Sequence, residues 1–192
     1  WENNTKVLFP ENDGGKRVIY AQDLIHRKAL EFIDEQKGNP FFLYVPILLP
    51  HAELIVPEDS IIQQFRGQFE ETPYQGADDR TAFTQGGYRS QEHPRATHAA
   101  MVTRVDHLVG EIMEKLESEG LMENTLIIFT SDNGPHREGG ADPDFFNSNG
   151  MYRGYKRDLY EGGIRVPTIF VWEGSIPAGR ENGFAFAFWD YM

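Results

Sequence analysis

The sequence has 192 residues, with 18 Lys and Arg against 30 Asp and Glu, and therefore a net charge of −12. That balance argues against a nucleic-acid surface and gives no long-range attraction for an anion, so any anion site has to be built locally. The absence of cysteine excludes disulfides and thiolate metal sites within the chain, and the length suits one domain or part of one.

Residues 1–16 are polar with Asn, Gly and Pro and read as surface loop; they lack a starting methionine and a basic-then-apolar leader pattern. Together with the abrupt end at Trp189-Asp190-Tyr191-Met192, this predicts a piece of a longer protein. No apolar run approaches the length that spans a bilayer. Over residues 20–36, Leu24, Ile25, Lys28, Phe32 and Ile33 trace one face of an amphipathic helix, stopped by Gly38 and Pro40. The dense apolar run 41–49 reads as a core strand limited by Pro46 and Pro50, and it delivers His51 just past its end. A short helix is expected within 57–68, and 70–93 is a long polar excursion of the kind that serves as a binding loop.

Pro94 opens a long helix through Glu119, with Ala99, Val102, Val105, Val109, Ile112 and Leu116 as its packed stripe and Gly120 closing it. Strands follow at 125–130 and 165–172. The alternation of helix and strand predicts an α/β fold, a mostly parallel sheet covered by helices on both faces.

The first of these strands ends in Ser131-Asp132-Asn133-Gly134-Pro135-His136, which places two oxygen-bearing side chains at a strand's carboxyl edge, where ligands bind in open α/β sheets. Asp132 and Asn133 are hard donors suited to calcium or magnesium, although Asp-Asn-Gly also favours a plain turn. Lys156 lies among glycines that permit close backbone approach; it is either solvated or a point charge for an anionic oxygen. His51 and His136, each just beyond a strand, are either ordinary packed histidines or donors to an anionic oxygen or a departing alkoxide. Glu161 and Arg165 read as a structural ion pair. His26, His93, His98 and His107 take the ordinary structural reading.

Asp132-Asn133-Gly134-Pro135-His136 followed by Gly154-Tyr155-Lys156-Arg157-Asp158-Leu159-Tyr160-Glu161-Gly162-Gly163-Ile164-Arg165-Val166-Pro167 resembles the second half of a sulfatase catalytic domain, of the alkaline phosphatase type. The resemblance implies a sulfuric ester hydrolase in which Asp132 and Asn133 ligate calcium (or magnesium) and Lys156 binds sulfate. His51 contacts sulfate and is the candidate general acid, and His136 lies beside the substrate. It further implies a formylglycine nucleophile, made from a Cys or Ser in a Cys/Ser-x-Pro-x-Arg motif, and a periplasmic or secreted setting.

This chain has no such motif: Ser175-Ile176-Pro177-Ala178-Gly179-Arg180 has its arginine one residue late and follows the wrong strand. Asp78-Asp79, the only Asp-Asp pair, lies in a polar loop and is not assigned to the metal. The expectation is therefore an incomplete catalytic domain, inactive by itself. Pro50-His51-Ala52-Glu53-Leu54 and Asp142-Pro143-Asp144-Phe145-Phe146-Asn147 resemble bacterial carbohydrate-type sulfatases, which implies a sulfated sugar as substrate. The rivals are a phosphoric ester hydrolase of the same superfamily and a non-catalytic binding protein derived from a sulfatase.

Overall fold

Helix α1 (Ala21–Gln36) forms where the apolar spacing places it, but the stripe it buries is Gln22, His26, Ala29 and Ile33, so Ile25 and Lys28 face outward. The computed structural model describes residues 1–78 and 87–191, so Asp79 of the Asp-Asp pair lies outside the described residues. Helix α2 (Ser60–Gln63) is shorter than the sequence predicts. The Asp59 side chain accepts from the N–H groups of Ile61 (3.0 Å) and Ile62 (3.4 Å), satisfying the orphan donors of the first turn.

Helix α3 (Pro94–Ser118) is capped from a distance: the Glu71 carboxylate accepts from the N–H groups of Arg95 and Ala96, both at 2.9 Å, at the positive end of the helix dipole. At its far end Gly120 adopts φ +67°, and Leu121 N–H donates to Leu116 C=O at 2.8 Å. Ala96, Thr97, Ala100, Met101, Arg104, Leu108 and Leu116 are buried, while Val102, placed in the stripe by spacing alone, is exposed. The reason for the rotation is Arg104. Its guanidinium is paired with Asp59 and Asp23 and lies over the Tyr20 ring, joining α1 and the α2 cap to α3. Tyr20 donates to Ile55 C=O at 2.9 Å, and burial pushes its hydroxyl up to about 12. His26 pairs with Glu111 at 2.6 Å between α1 and α3, as a structural histidine.

Strands β1 (Ile127–Thr130) and β2 (Thr168–Val171) pair antiparallel, with Ile127 opposite Val171 and Thr130 opposite Thr168. This differs from the parallel arrangement predicted. A parallel pair needs a crossover of a dozen or more residues, usually a helix, and the link between β1 and β2 holds only the single turn of α4 (Glu161–Ile164). The run 41–49 is extended but takes no ladder partner among the described residues, so the core strand expected there is not a strand. Its side chains still alternate, with Phe42, Tyr44 and Leu48 exposed and their neighbours half-buried.

The excursion 70–93 closes at its base, where Tyr74 and Gln91 exchange two backbone hydrogen bonds of 2.8 and 2.9 Å and Ala77 N–H donates to Tyr88 C=O at 3.0 Å. Among the described residues no helix is long and apolar enough to cross a membrane.

Candidate functional site

Three segments converge beyond β1. The Thr130 hydroxyl bonds Pro167 C=O (3.1 Å) and the Thr168 hydroxyl (2.9 Å), fixing where the chain leaves the strand pair. Gly134 N–H then donates to Gly163 C=O at 2.9 Å, and Lys156 N–H to Pro135 C=O at 2.8 Å. A Cβ on Gly134 would lie 1.8 Å from Gly162 O, so the Asp-Asn-Gly and Glu-Gly-Gly segments meet only because both are bare backbone there.

His51, His136 and Lys156 are brought together. His51 donates from Nδ1 to Ala52 C=O at 2.6 Å, which turns Nε2 toward Lys156 Nζ at 2.8 Å. The rings of His51 and His136 stack with centroids 5.0 Å apart. His136 is buried; its Nε2 donates to Pro50 C=O at 3.1 Å and its Nδ1 accepts from Glu138 N–H at 3.1 Å. Burial holds this imidazole below the usual histidine range, the charges of His51 and Lys156 act in the same direction, and the bond to Pro50 opposes them. His136 is thus a neutral, fully bonded ring.

Glu138, Tyr88 and Arg157 complete the cluster, and sequence reasoning missed all three. Glu138 Oε2 accepts from the Tyr88 hydroxyl at 2.8 Å and lies 3.7 Å from His51 Nε2, while Oε1 pairs with Arg157. Burial alone would raise the Glu138 carboxyl, but Tyr88 and Arg157 outweigh it and hold it below its ordinary value. Burial, then the bond to Glu138, raises the Tyr88 hydroxyl. The one signal available was spacing: Glu138 stands two residues past His136, so in an extended loop the two share a face.

A cleft of about 340 Å³ opens beside the cluster, lined by His136, Arg137, Glu138, Tyr155, Lys156, Arg157 and Asp158. In a chain of net charge −12 this lining is locally rich in cations, the arrangement an anionic oxygen needs. Asp144 anchors one wall by accepting from Arg137 (2.6 Å) and from the Tyr155 hydroxyl, and Asp142 accepts from Arg95 at 2.8 Å. Glu161 and Arg165 form the expected exposed pair at 3.3 Å. His98 sits apart, stacked on Phe146 at 5.2 Å.

Asp132 and Asn133 occupy the turn before the cluster, and no hydrogen bond or ion pair among the described residues joins either to His51, His136 or Lys156. Asn133 spends its Nδ2 on Gly134 C=O at 2.9 Å; among the described residues its Oδ1 takes no hydrogen bond and exposed Asp132 is unpaired. Their three remaining oxygens fit a hard cation. Among the described residues no group of three His, Cys, Asp or Glu side chains forms a metal-holding cluster, so these two do not complete a site alone.

Comparison with known proteins gives the chain a family. The sulfatase family profile matches residues 4–188. The chain is 31% identical over 183 residues to an arylsulfatase of Hemicentrotus pulcherrimus, covering 94% of this chain and 26% of the relative. It is 29% identical over 186 residues to an N-acetylgalactosamine-6-O-sulfatase of Bacteroides thetaiotaomicron, covering 88% and 29%. The crystal structure of Ps i-CgsB in complex with k-i-k-neocarrahexaose superimposes with a TM-score of 0.62 at 30% identity, over 86% of this chain and 32% of that one. The chain therefore spans between a quarter and a third of the length of these relatives. With a profile match over nearly its whole length, this chain belongs to the sulfatase family.

Proposed function

We propose that the whole protein hydrolyses sulfate esters and that this chain supplies the sulfate-facing and leaving-group side of its active site. The observation that carries the reading is the approach of Lys156 Nζ to His51 Nε2, 2.8 Å, beside a cleft rich in cations. The Lys156 ammonium holds a sulfate oxygen and stabilises charge developing around sulfur. His51 Nε2, with Nδ1 fixed on Ala52, is the atom that protonates the departing alkoxide. His136, whose two nitrogens are both bonded, borders the substrate through its ring.

Asp132 Oδ1 and Oδ2 and Asn133 Oδ1 would hold a calcium ion, or magnesium, with further oxygens from outside this sequence. When bound, the cation neutralises charge on the sulfate oxygens. The nucleophile, a formylglycine, likewise comes from outside this sequence, so the 192-residue chain has no turnover by itself.

The substrate we favour is a sulfated carbohydrate, since relatives include a protein named for N-acetylgalactosamine 6-O-sulfate and a neighbour solved with a neocarrahexaose. The base of the excursion, through Tyr88, borders the cluster and fits a loop that faces this sugar. In the whole domain β1, β2 and the extended segment 41–49 join a larger sheet of the alkaline phosphatase type, most of whose strands run parallel with helices on both faces. The exposed Phe42, Tyr44, Leu48, Ile128 and Ile169 support this.

The test is sulfate release by the full-length protein from sulfated oligosaccharides, with phosphate esters alongside. Sulfate release that falls by about two to three orders of magnitude in Lys156→Ala is the expected result. Preferential phosphate release would replace the reading with a phosphoric ester hydrolase, and binding without release of either would make it a binding protein.

A further inference from the structure

Glu138 is not among the residues the sulfatase reading uses, yet it meets His51, His136, Tyr88 and Arg157 of the cluster. Its carboxylate is only 15% exposed, and its two oxygens face different partners: Oε1 the Arg157 guanidinium, Oε2 the Tyr88 hydroxyl at 2.8 Å and His51 Nε2 at 3.7 Å. Its backbone N–H donates to His136 Nδ1 at 3.1 Å and so fixes the ring on which His51 stacks. One residue thus orients both histidines, one through the main chain and one through the side chain.

The electrostatic problem at His51 is plain. Nδ1 is committed to Ala52, so a second proton on the ring must sit on Nε2, which faces the Lys156 ammonium at 2.8 Å. A cation that close opposes protonation, and a group that is to hand a proton to an alkoxide must first hold it. The remaining groups facing His51 are the stacked His136 ring, neutral and bonded, the Tyr88 ring at 6.5 Å, and Glu138. Among the described residues only Glu138 brings negative charge.

We propose that Glu138 is a positioning residue that makes a protonated His51 compatible with Lys156 beside it, and that Arg157, by drawing on the same carboxylate, sets how much of that negative charge His51 feels. The inference rests on the proposed acid role of His51 for its purpose in catalysis, but not for its measurement. Tyr88 fixes the oxygen that faces His51, so the base of the excursion takes part in the same charge arrangement.

The experiment follows the His51 ring signals of the 192-residue chain by proton–nitrogen NMR across the histidine titration range, in wild type, Glu138→Gln, Glu138→Asp and Arg157→Gln. Glu138→Gln shifts the His51 titration to lower pH, Glu138→Asp restores most of it, and Arg157→Gln shifts it to higher pH. A residue with a merely structural role would not produce opposite signs. A His51 titration unmoved in both Gln variants, with native spectra, overturns the proposal. Should Glu138→Gln lose its native spectrum, the Arg157→Gln arm decides, since that side chain is 73% exposed and tolerates replacement: an upward shift supports the proposal, and no shift or a downward one ends it. Because no turnover is read, these shifts combined with an absence of sulfate release from the full-length protein would sink the hydrolase reading and leave the role of Glu138 standing.

Discussion

A single methyl group decides whether the loop from Tyr155 to Gly163 can fold back on itself. A Cβ at Gly163 would lie 2.3 Å from Asp158 O and 2.4 Å from Tyr155 O, and backbone cannot step aside as a side-chain tip can. Gly163→Ala is therefore expected to lower stability by about 3 kcal/mol in urea unfolding. Gly110 is the counter-case: it lies inside α3 with nothing within 4 Å of an added Cβ, and Gly110→Ala should raise stability by roughly 0.5–1 kcal/mol. His51, His136 and Lys156 were legible in the sequence because each ends or follows a stretch with a strong local pattern. Glu138 and Tyr88 were not, because their meaning is a contact across fifty residues that no spacing records.

At the scale of the element, α3 shows how burial couples helix packing to pH. Burial against Phe146, with a smaller contribution from His136 once that ring takes up a proton, lowers His98 to about 4 from an ordinary value of 6.5. The unfolded chain therefore takes up this proton first as the pH falls. Stability from His98 is whole above about pH 6.5 and is lost between there and pH 4, on the order of 3 kcal/mol in all. Burial lowers His136 too, with the same sign. Urea midpoints at about pH 7 and pH 4.5 should converge in His98→Leu relative to wild type, leaving the share of His136.

The same helix marks a limit of periodicity. Its existence and both ends were plain from Pro94 and Gly120, but its buried face was misplaced, because a buried arginine paired with two aspartates reads in sequence as a solvated charge.

For the whole molecule, the extended segment 41–49 is the most consequential surface. Phe42, Tyr44 and Leu48 are 87%, 75% and 65% exposed along a segment with no ladder partner among the described residues, the combination that favours edge-to-edge association. Sedimentation of the isolated chain should show concentration-dependent association, weakened in a Phe42→Lys, Leu48→Lys double variant. The α/β class was legible from alternating helix and strand; the strand directions were not, since they depend on what lies between β1 and β2. The closed base of the excursion 70–93 has a different kind of consequence. Tyr74, Ala77, Tyr88 and Gln91 zip its two stems together, and the same zip delivers the Tyr88 hydroxyl to Glu138, so the stems hold one oxygen of the site in place. The stems are therefore a clasp: a substitution that unpairs Tyr74 from Gln91 would loosen the site from outside, without altering any residue that lines it.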